Sequence, residues 1–546
     1  MNPVFSLPAL ISSRFEAVVG VDPELRAATK PQFGHYQTNV AMRLAKQAGK
    51  PPREVAQEIV EKVDLAGITE PLEIAGPGFI NIRVLTSVLA KVATDVLNDP
   101  NTGIEKVEHP QRVIVEYSSP NVAKQMHVGH LRSTIIGDCF TRVLTAIGED
   151  VKRENHIGDW GRQFGMLVEQ ILDEGIDASK LSLAEAEALY KRANAHFKED
   201  EQFAELSRER VVKLQHGDEL TRRIWRQLID VSKAGFNETY RRMGVLLDDG
   251  DVVGESFYND DLPVIAEDLE SRGLAKMDDG ALVMFLPGFE APAIIRNSAG
   301  GYGYFITDLA TIRHRVQSGA QRIIYVVGSE QIFHFNQLFA AARLAGYLPD
   351  DVVAEHVPYG MVLGPDGKKF STREGTAVTL NSLLDEAEEH AAPSIALAAI
   401  KYADLSNALQ KDYAFDAERM SKTTGDTGPY LQYAHARVSG ILRKADAEGF
   451  DRDAVTVAAE PEEQDLAIKL SRFGEVVDQV AETLQPHRLC TYLFELAQSL
   501  SVFYERCPVL KSEGEVRRSR LAMCQAVKQV LARGLDLLGI EAPERM

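Results

Sequence analysis

The chain has 546 residues, too many for one ordinary domain and enough for about three or four. With 45% hydrophobic and 26% charged residues it is a globular rather than a disordered sequence, and a formal net charge of −20 excludes a broadly basic surface that coats nucleic acid. Apolar runs long enough to span a bilayer are absent, and the start, MNPVFSLPALISSRFEAVVG, lacks the charged-then-apolar pattern of a secretory leader, so the cytoplasm is the expected compartment.

Residues 1 to about 108 are expected to form an α+β unit that closes with PLEIAGPGFINIRV, where Gly76, Pro77 and Gly78 separate two short strand-like runs. A new unit opens at EHPQRVIVEYSSP. There Val113, Ile114 and Val115 make the continuous apolar run of a strand covered on both faces. From Leu131 onward, Ile136, Phe140, Val143, Leu144 and Ile147 recur at helical spacing. Strand, polar turn and helix together open a nucleotide-binding α/β unit, and QRIIYVVGSEQ supplies a later strand that stops at Gly328, Ser329, Glu330 and Gln331. Between them the charged, helix-periodic stretch from about 165 to 245 reads as a helical insertion. After about residue 390 the pattern is almost wholly helical, with a polar break around AEGFDRDAVTVAAEPEEQ. The expected division is therefore an α+β unit over 1–108, a Rossmann-type parallel-sheet unit over 109–390, and an all-α bundle over 391–546. Cys139, Cys490, Cys507 and Cys524 include no CxxC pair, which gives neither a zinc ribbon nor a disulfide framework.

The stretch PNVAKQMHVGHLRS, residues 120–133, holds His127 and His130 three apart between the strand and the helix. Three readings compete. Metal binding lacks a third partner nearby. Helix capping suits polar residues at a helix start. Nucleotide binding draws on the free N–H groups and positive dipole end of that start, to which imidazoles add donors, while Gly129 leaves room for a flat base or a ribose. Ser118, Ser119 and Asn121 fall at the same carboxyl end of the strand, where open α/β sheets hold their ligands. A second element, MVLGPDGKKFSTREG, carries Lys368, Lys369, Ser371, Thr372 and Arg373 on a glycine-rich loop able to neutralise charge on leaving phosphates; an ordinary basic turn is the alternative.

Taken together, VEYSSPNVAKQMHVGHLRSTIIGD, NHIGDWGRQFG, FSTREG and DTGPYLQYAHARV, along with the N-terminal FGHYQTNVAMRLAK and GPGFINI, resemble the arginyl-tRNA synthetases, class I enzymes with paired HIGH and KMSKS signatures. The resemblance covers essentially the whole chain. It implies formation of arginyl-adenylate from L-arginine and ATP with Mg2+, then transfer to tRNA(Arg), with tRNA needed even for activation. It further implies a tRNA-contacting N-terminal domain, an anticodon-binding helical domain and a monomer. Carried onto this chain, it assigns His127, Gly129, His130, Lys369 and Ser371 to ATP, and Ser119, Asn121 and Gln331 to the amino-acid end of the substrate. Glu116, Tyr304 and Asp308 fall at the guanidinium pocket, and carboxylates are the natural match for a planar fork of five donors. The loop departs from the family signature in having Thr372 where a second lysine belongs, and Lys124 is the expected substitute beside Lys368 and Lys369.

The acidic balance extends to the helical domain, where residues 391–546 contain 19 Lys and Arg against 23 Asp and Glu. Within 505–533 the count is 7 against 3, centred on Arg517, Arg518 and Arg520, a local excess that could face phosphates. Tyr430, Tyr433, Tyr492 and Tyr504 are the aromatics available to stack on anticodon bases.

Overall fold

The computed structural model describes residues 5–364, 366–368, 378–447, 449 and 453–546. The first unit starts with the helix Leu7–Val19, capped by the Ser6 hydroxyl accepting from the Ala9 N–H at 3.1 Å and closed by Gly20 in the left-handed region. Leu7, Ile11 and Phe15, one face of that helix, are buried. The unit also contains an antiparallel sheet of Arg26–Ala27, Tyr36–Thr38, Phe79–Ile82 and Glu73–Ala75, in that order. The expected α+β character is present.

The second unit is built on a five-stranded parallel sheet. Its spatial order is Val353–Tyr359, Arg322–Gly328, Arg112–Glu116, Asp150–Ile157, Val252–Gly254. Val113, Ile114 and Val115 are fully buried at its centre, as a strand with helices on both faces requires. Counting strands along the chain from Arg112–Glu116, the order across the sheet is doubly wound and reverses between that first strand and Arg322–Gly328. At such a reversal an open α/β sheet holds its ligand crevice, outside the carboxyl ends of the two strands.

The insertion consists of the helices Arg162–Glu174, Leu183–Glu199, Glu201–Gln215 and Glu219–Arg242. One feature was not legible beforehand: an antiparallel sheet of Lys276–Asp278, Ala281–Met284 and Ala293–Arg296 precedes the helix Tyr304–Gln317. Its strands are three or four residues long, too short to show alternation.

After residue 390 the chain is mainly helical but not wholly so. Tyr413–Ala414 pairs in parallel with Val362–Leu363, which follows the parallel sheet in the chain. The helix Pro393–Leu405 is likewise tied back by a buried ion pair between Asp404 and Arg132, 3.2 Å apart. The bundle proper comprises Gly428–Asp446, Pro461–Leu470, Phe473–Thr483, His487–Arg506 and Gly514–Leu537. All four cysteines are buried free thiols.

Candidate active site

Leaving the central strand, the chain enters a constrained turn. Ser118, Ser119 and Ala123 have φ of 73°, 50° and 60°, in the left-handed region that disfavours side chains. Such residues cost about 1–3 kcal/mol each and persist only where their surroundings hold them. Here they are held from three directions. The Ser118 N–H donates to Ser133 Oγ on the following helix at 2.9 Å, the Ser119 N–H to Asn155 Oδ1 on the next strand at 3.0 Å, and the Ala123 N–H to Ser232 Oγ of the insertion at 2.9 Å. Tyr240 closes the network, its hydroxyl 2.7 Å from Ser118 Oγ and accepting from Asn155 Nδ2 at 3.0 Å. Ser119 Oγ is buried without a protein partner, and Asn121 is exposed beside it.

At the start of the helix Val128–Ala146 the capping alternative is realised. His127 Nδ1 accepts from the Gly129 N–H at 3.0 Å, and His130 Nδ1 accepts from the His127 N–H at 3.1 Å. This reciprocal cap does not compete with nucleotide binding. An Nδ1 that accepts a backbone proton leaves the ring proton on Nε2, so each imidazole keeps a donor. Burial, and next the neighbouring His127, push His130 down to about 3, which keeps it neutral at pH 7. Gly129 has a nearer reason than an incoming nucleotide: a Cβ there would lie 2.7 Å from Cε1 of His127 and displace its ring.

The chain comes back to this turn after the lysine motif. Lys368 is exposed, and its carbonyl accepts from the Gly364 N–H at 2.7 Å; Lys369, Ser371, Thr372 and Arg373 lie outside the described residues. Where the described chain resumes, the Val128 N–H donates to the Val378 carbonyl at 2.9 Å, and the Leu380 N–H donates to the Met126 carbonyl at 2.8 Å. His127 and Thr379 form the antiparallel bridge between these bonds. The HxGH turn and residues 378–380, distant in sequence, thus share one short backbone ladder. Lys124 lies on the other side, its Nζ 4.4 Å from the centre of the Tyr190 ring in the insertion.

The opposite wall of the crevice is acidic. Tyr304, 69% exposed, is the first residue of the helix Tyr304–Gln317, and Asp308 follows one turn later, 2.6 Å from His334 Nε2. Tyr304 packs on the same imidazole, with ring centres 5.0 Å apart. Gln331 is half-buried at the end of the short helical turn after Arg322–Gly328. Glu255 and Asp159 join this wall and were missed in the sequence. Burial, then the charges of Asp308 and Asp159, push Glu255 up to about 7. Asp159 accepts from the Ser256 N–H at 2.8 Å and from its hydroxyl at 2.6 Å. Their signal in the sequence was slight, because Glu255 follows a strand of only three residues, Val252–Gly254.

Glu116, expected at the guanidinium pocket, also holds the chain's own Arg315, whose Nη2 is 2.5 Å from Glu116 Oε2 and 2.6 Å from Glu154 Oε2. The two glutamates are register partners on adjacent strands, and buried like charges so placed need a counter-ion.

On the helical bundle, Tyr430, Tyr433, Arg437 and Tyr504 line one groove between Gly428–Asp446 and His487–Arg506, with Arg437 lying 4.3 Å over the Tyr504 ring. Tyr492 is excluded from such a surface, being buried against Phe473. The local basic excess is largely internal: Arg506, Arg520, Lys528 and Arg533 pair with Glu462, Glu463, Glu544 and Asp536.

Three family profiles match, in chain order: "Arginyl tRNA synthetase N terminal domain" over residues 8–84, "tRNA synthetases class I (R), catalytic domain" over 92–395, and "DALR anticodon binding domain" over 431–546. The chain is 62% identical to the arginine–tRNA ligase of Cutibacterium acnes, covering 99% of this chain and 100% of that protein. It is 47% identical to that of Thermobifida fusca, covering 96% and 95%. Among solved structures, the arginyl-tRNA synthetase of Thermus thermophilus superposes with a TM-score of 0.81 at 28% identity, covering 99% of this chain and 100% of that one. That of Plasmodium falciparum gives 0.83 at 26%, covering all of both. With matches along its whole length, the chain belongs to the class I arginyl-tRNA synthetase family.

Proposed function

We propose that this chain is an arginine–tRNA ligase in which the capped helix start handles ATP and the acidic wall selects L-arginine. The arginine carboxylate attacks the α-phosphorus of ATP; the bond to the β-phosphate breaks, pyrophosphate leaves, and arginyl-adenylate remains. A ribose hydroxyl at the 3′ end of tRNA(Arg) then takes the arginyl group, and AMP departs.

In this reading the Nε2–H groups of His127 and His130 donate to phosphate oxygens as charge builds on them, the contribution that accelerates the step. Gly129 and Ser371 complete the ATP contacts, and Lys124, Lys368 and Lys369 neutralise the departing pyrophosphate. Magnesium accompanying the nucleotide would supply further charge neutralisation at the phosphates. Asp308 and Glu255 accept from the substrate guanidinium with Tyr304 at the mouth, while Glu116 offers the oxygen that Arg315 leaves. Ser119, Asn121 and Gln331 take the amino-acid end. Residues 1–108 contact the tRNA body, 109–390 perform the chemistry, and 391–546 read the anticodon, where Tyr433, Arg437 and Tyr504 supply stacking faces. The protein works as a cytoplasmic monomer.

The observation that carries the reading is an acid cluster, Glu255, Asp308 and Asp159, that pairs with no Lys or Arg among the described residues and stands at the sheet edge opposite the HxGH turn. Carboxylates without a lysine or arginine partner there favour a cationic ligand. Purified protein, ATP, total tRNA and each labelled amino acid test it: arginine alone should be charged. Charging of another amino acid, or none by folded protein, overturns the proposal. ATP–pyrophosphate exchange should depend on added tRNA, and full exchange without tRNA would remove that part.

A further inference from the structure

The helix Tyr304–Gln317 presents Tyr304, Asp308, Thr311 and Arg315 along one stripe, at steps of four, three and four residues. The stripe runs from solvent to core: Tyr304 is 69% exposed, whereas Thr311 and Arg315 are 1% and 0% exposed. The Asp308 carboxylate therefore stands between the crevice mouth and a buried guanidinium. Arg315 Nε donates to Glu154 Oε2 at 2.7 Å, and Nη2 reaches Glu116 Oε2 at 2.5 Å. Lys152 takes the other oxygen of Glu154 at 2.8 Å. Against the upward pull of burial, Arg315 and then Lys152 hold the Glu154 carboxyl below its usual range. The floor of the pocket is thus neutralised by the protein itself. Arg315 also keeps a donor in reserve, since Nη1 is buried with no protein partner, and its guanidinium lies 5.0 Å over the Tyr325 ring.

A carboxylate pair at the ends of adjacent strands would hold a cation if it were empty, and here it is filled by a guanidinium, the group that L-arginine carries. We propose that Arg315 is a positioning residue for amino-acid selection: it occupies the strand-end carboxylates with an internal guanidinium and leaves a single Glu116 oxygen, so that an incoming guanidinium is directed to the outer acids Glu255 and Asp308 and to that one oxygen. This inference rests on the reading of those outer acids as the substrate site. It goes beyond that reading in assigning selectivity to a residue behind the contact surface. A lysine does not reproduce Arg315, because an ammonium in the place of Nη2 lacks the second donor, Nε, that fixes Glu154 and the planar face that lies over Tyr325.

Steady-state arginylation by the full-length protein tests this. Arg315→Lys preserves the charge, and its KM for arginine should rise about 10-fold with kcat within about twofold, the signature of a misplaced ground-state contact. Arg315→Ala should open a cavity that free guanidinium fits. Millimolar guanidinium chloride should then lower the KM of Arg315→Ala toward normal, while raising that of the unsubstituted protein by competing with arginine. A purely structural arginine would not give opposite responses to the same ion. An unchanged KM in folded Arg315→Lys, or guanidinium inhibiting Arg315→Ala as it inhibits the parent, overturns the proposal. If Arg315→Ala does not fold, Arg315→Lys decides alone. Asp308→Asn and Glu255→Gln run in parallel separate the two levels. Unchanged KM in both overturns the pocket itself, whereas raised KM in both beside normal Arg315 variants overturns only the role of Arg315.

Discussion

Residues 118–134 and the acids around Asp308 flank one crevice, yet they are built in opposite ways. The side proposed to take the nucleotide is nearly continuous in sequence: Ser118, His127, Gly129, His130, Ser133 and Thr134 bond to one another, while Ser119 and Ala123 are tied outward, to Asn155 and Ser232. The side proposed to take the amino acid is assembled from remote segments, with Glu116, Glu154, Asp159, Glu255, Asp308, Arg315 and His334 brought together by sheet order and helix packing. On the first side, function follows from which donors a helix start leaves over. On the second it follows from subtraction, because the acids that matter are those the protein does not neutralise itself. A local constellation should therefore act in the transition state, and a remote one should act as a fitted ground-state receptor.

The largest expected effect separates the two. His130→Ala should lower kcat for arginylation by about 10²–10³-fold, the cost of one preorganised donor to developing charge, with KM for arginine little changed. Asp308→Ala should do the reverse, raising KM for arginine about 10- to 100-fold through the loss of a charged hydrogen bond of about 1.5–3 kcal/mol, with a smaller change in kcat. Proportionate losses in both parameters for both variants would erase the distinction.

That difference also sets what was legible in the sequence. HxGH, the strand before it and the helix after it could be read because turn, cap and periodicity are short-range properties. Tyr304 and Asp308 share a helical face and could be found together through the resemblance. Glu255 and Asp159 could not, since their proximity depends on a three-residue edge strand and on charge left after every internal pair is formed. Glu116 shows the same difficulty from the other side. Its place at a strand end was readable, but its partner Arg315 lies on a helix far along the chain. In the bundle, burial of Tyr492 and the pairing of Arg520 with Glu463 likewise depend on which helix faces which.

A smaller effect tests whether the lysine missing from the loop is supplied locally. Lys124 rests on Tyr190 at 4.4 Å, a cation–π contact worth about 0.5–1 kcal/mol at an accessible site, which is weak enough to exchange for a polyphosphate. Lys124→Met should lower kcat about 10-fold, less than His130→Ala because Lys368 and Lys369 carry charge to the same groups. Tyr190→Leu should leave kcat intact or raise it slightly. If Lys124→Met retains full kcat, the nucleotide side has no need of a substitute lysine.

The smallest effect gives the finest view of the acidic side. Burial, then Asp308 and Asp159, raise the Glu255 carboxyl from 4.5 to about 7, so the free pocket is partly protonated near neutrality. A cation binds the ionised form better. KM for arginine should therefore fall a few-fold as pH rises from about 6 to 8, a dependence that Glu255→Gln should abolish, leaving KM near the acid-side value. Stability should move the other way. The folded state holds this proton between pH 4.5 and about 7 while the unfolded chain releases it, so the carboxyl destabilises the fold increasingly through that window and fully above it. Glu255→Gln should thus unfold at a higher temperature than the parent at pH 8 and at the same temperature near pH 4. A substitution that weakens arginine binding while strengthening the fold would identify Glu255 as a charge kept unpaired for its ligand. Loss of both would make it an ordinary structural acid, and the pocket's selectivity would then fall to Asp308.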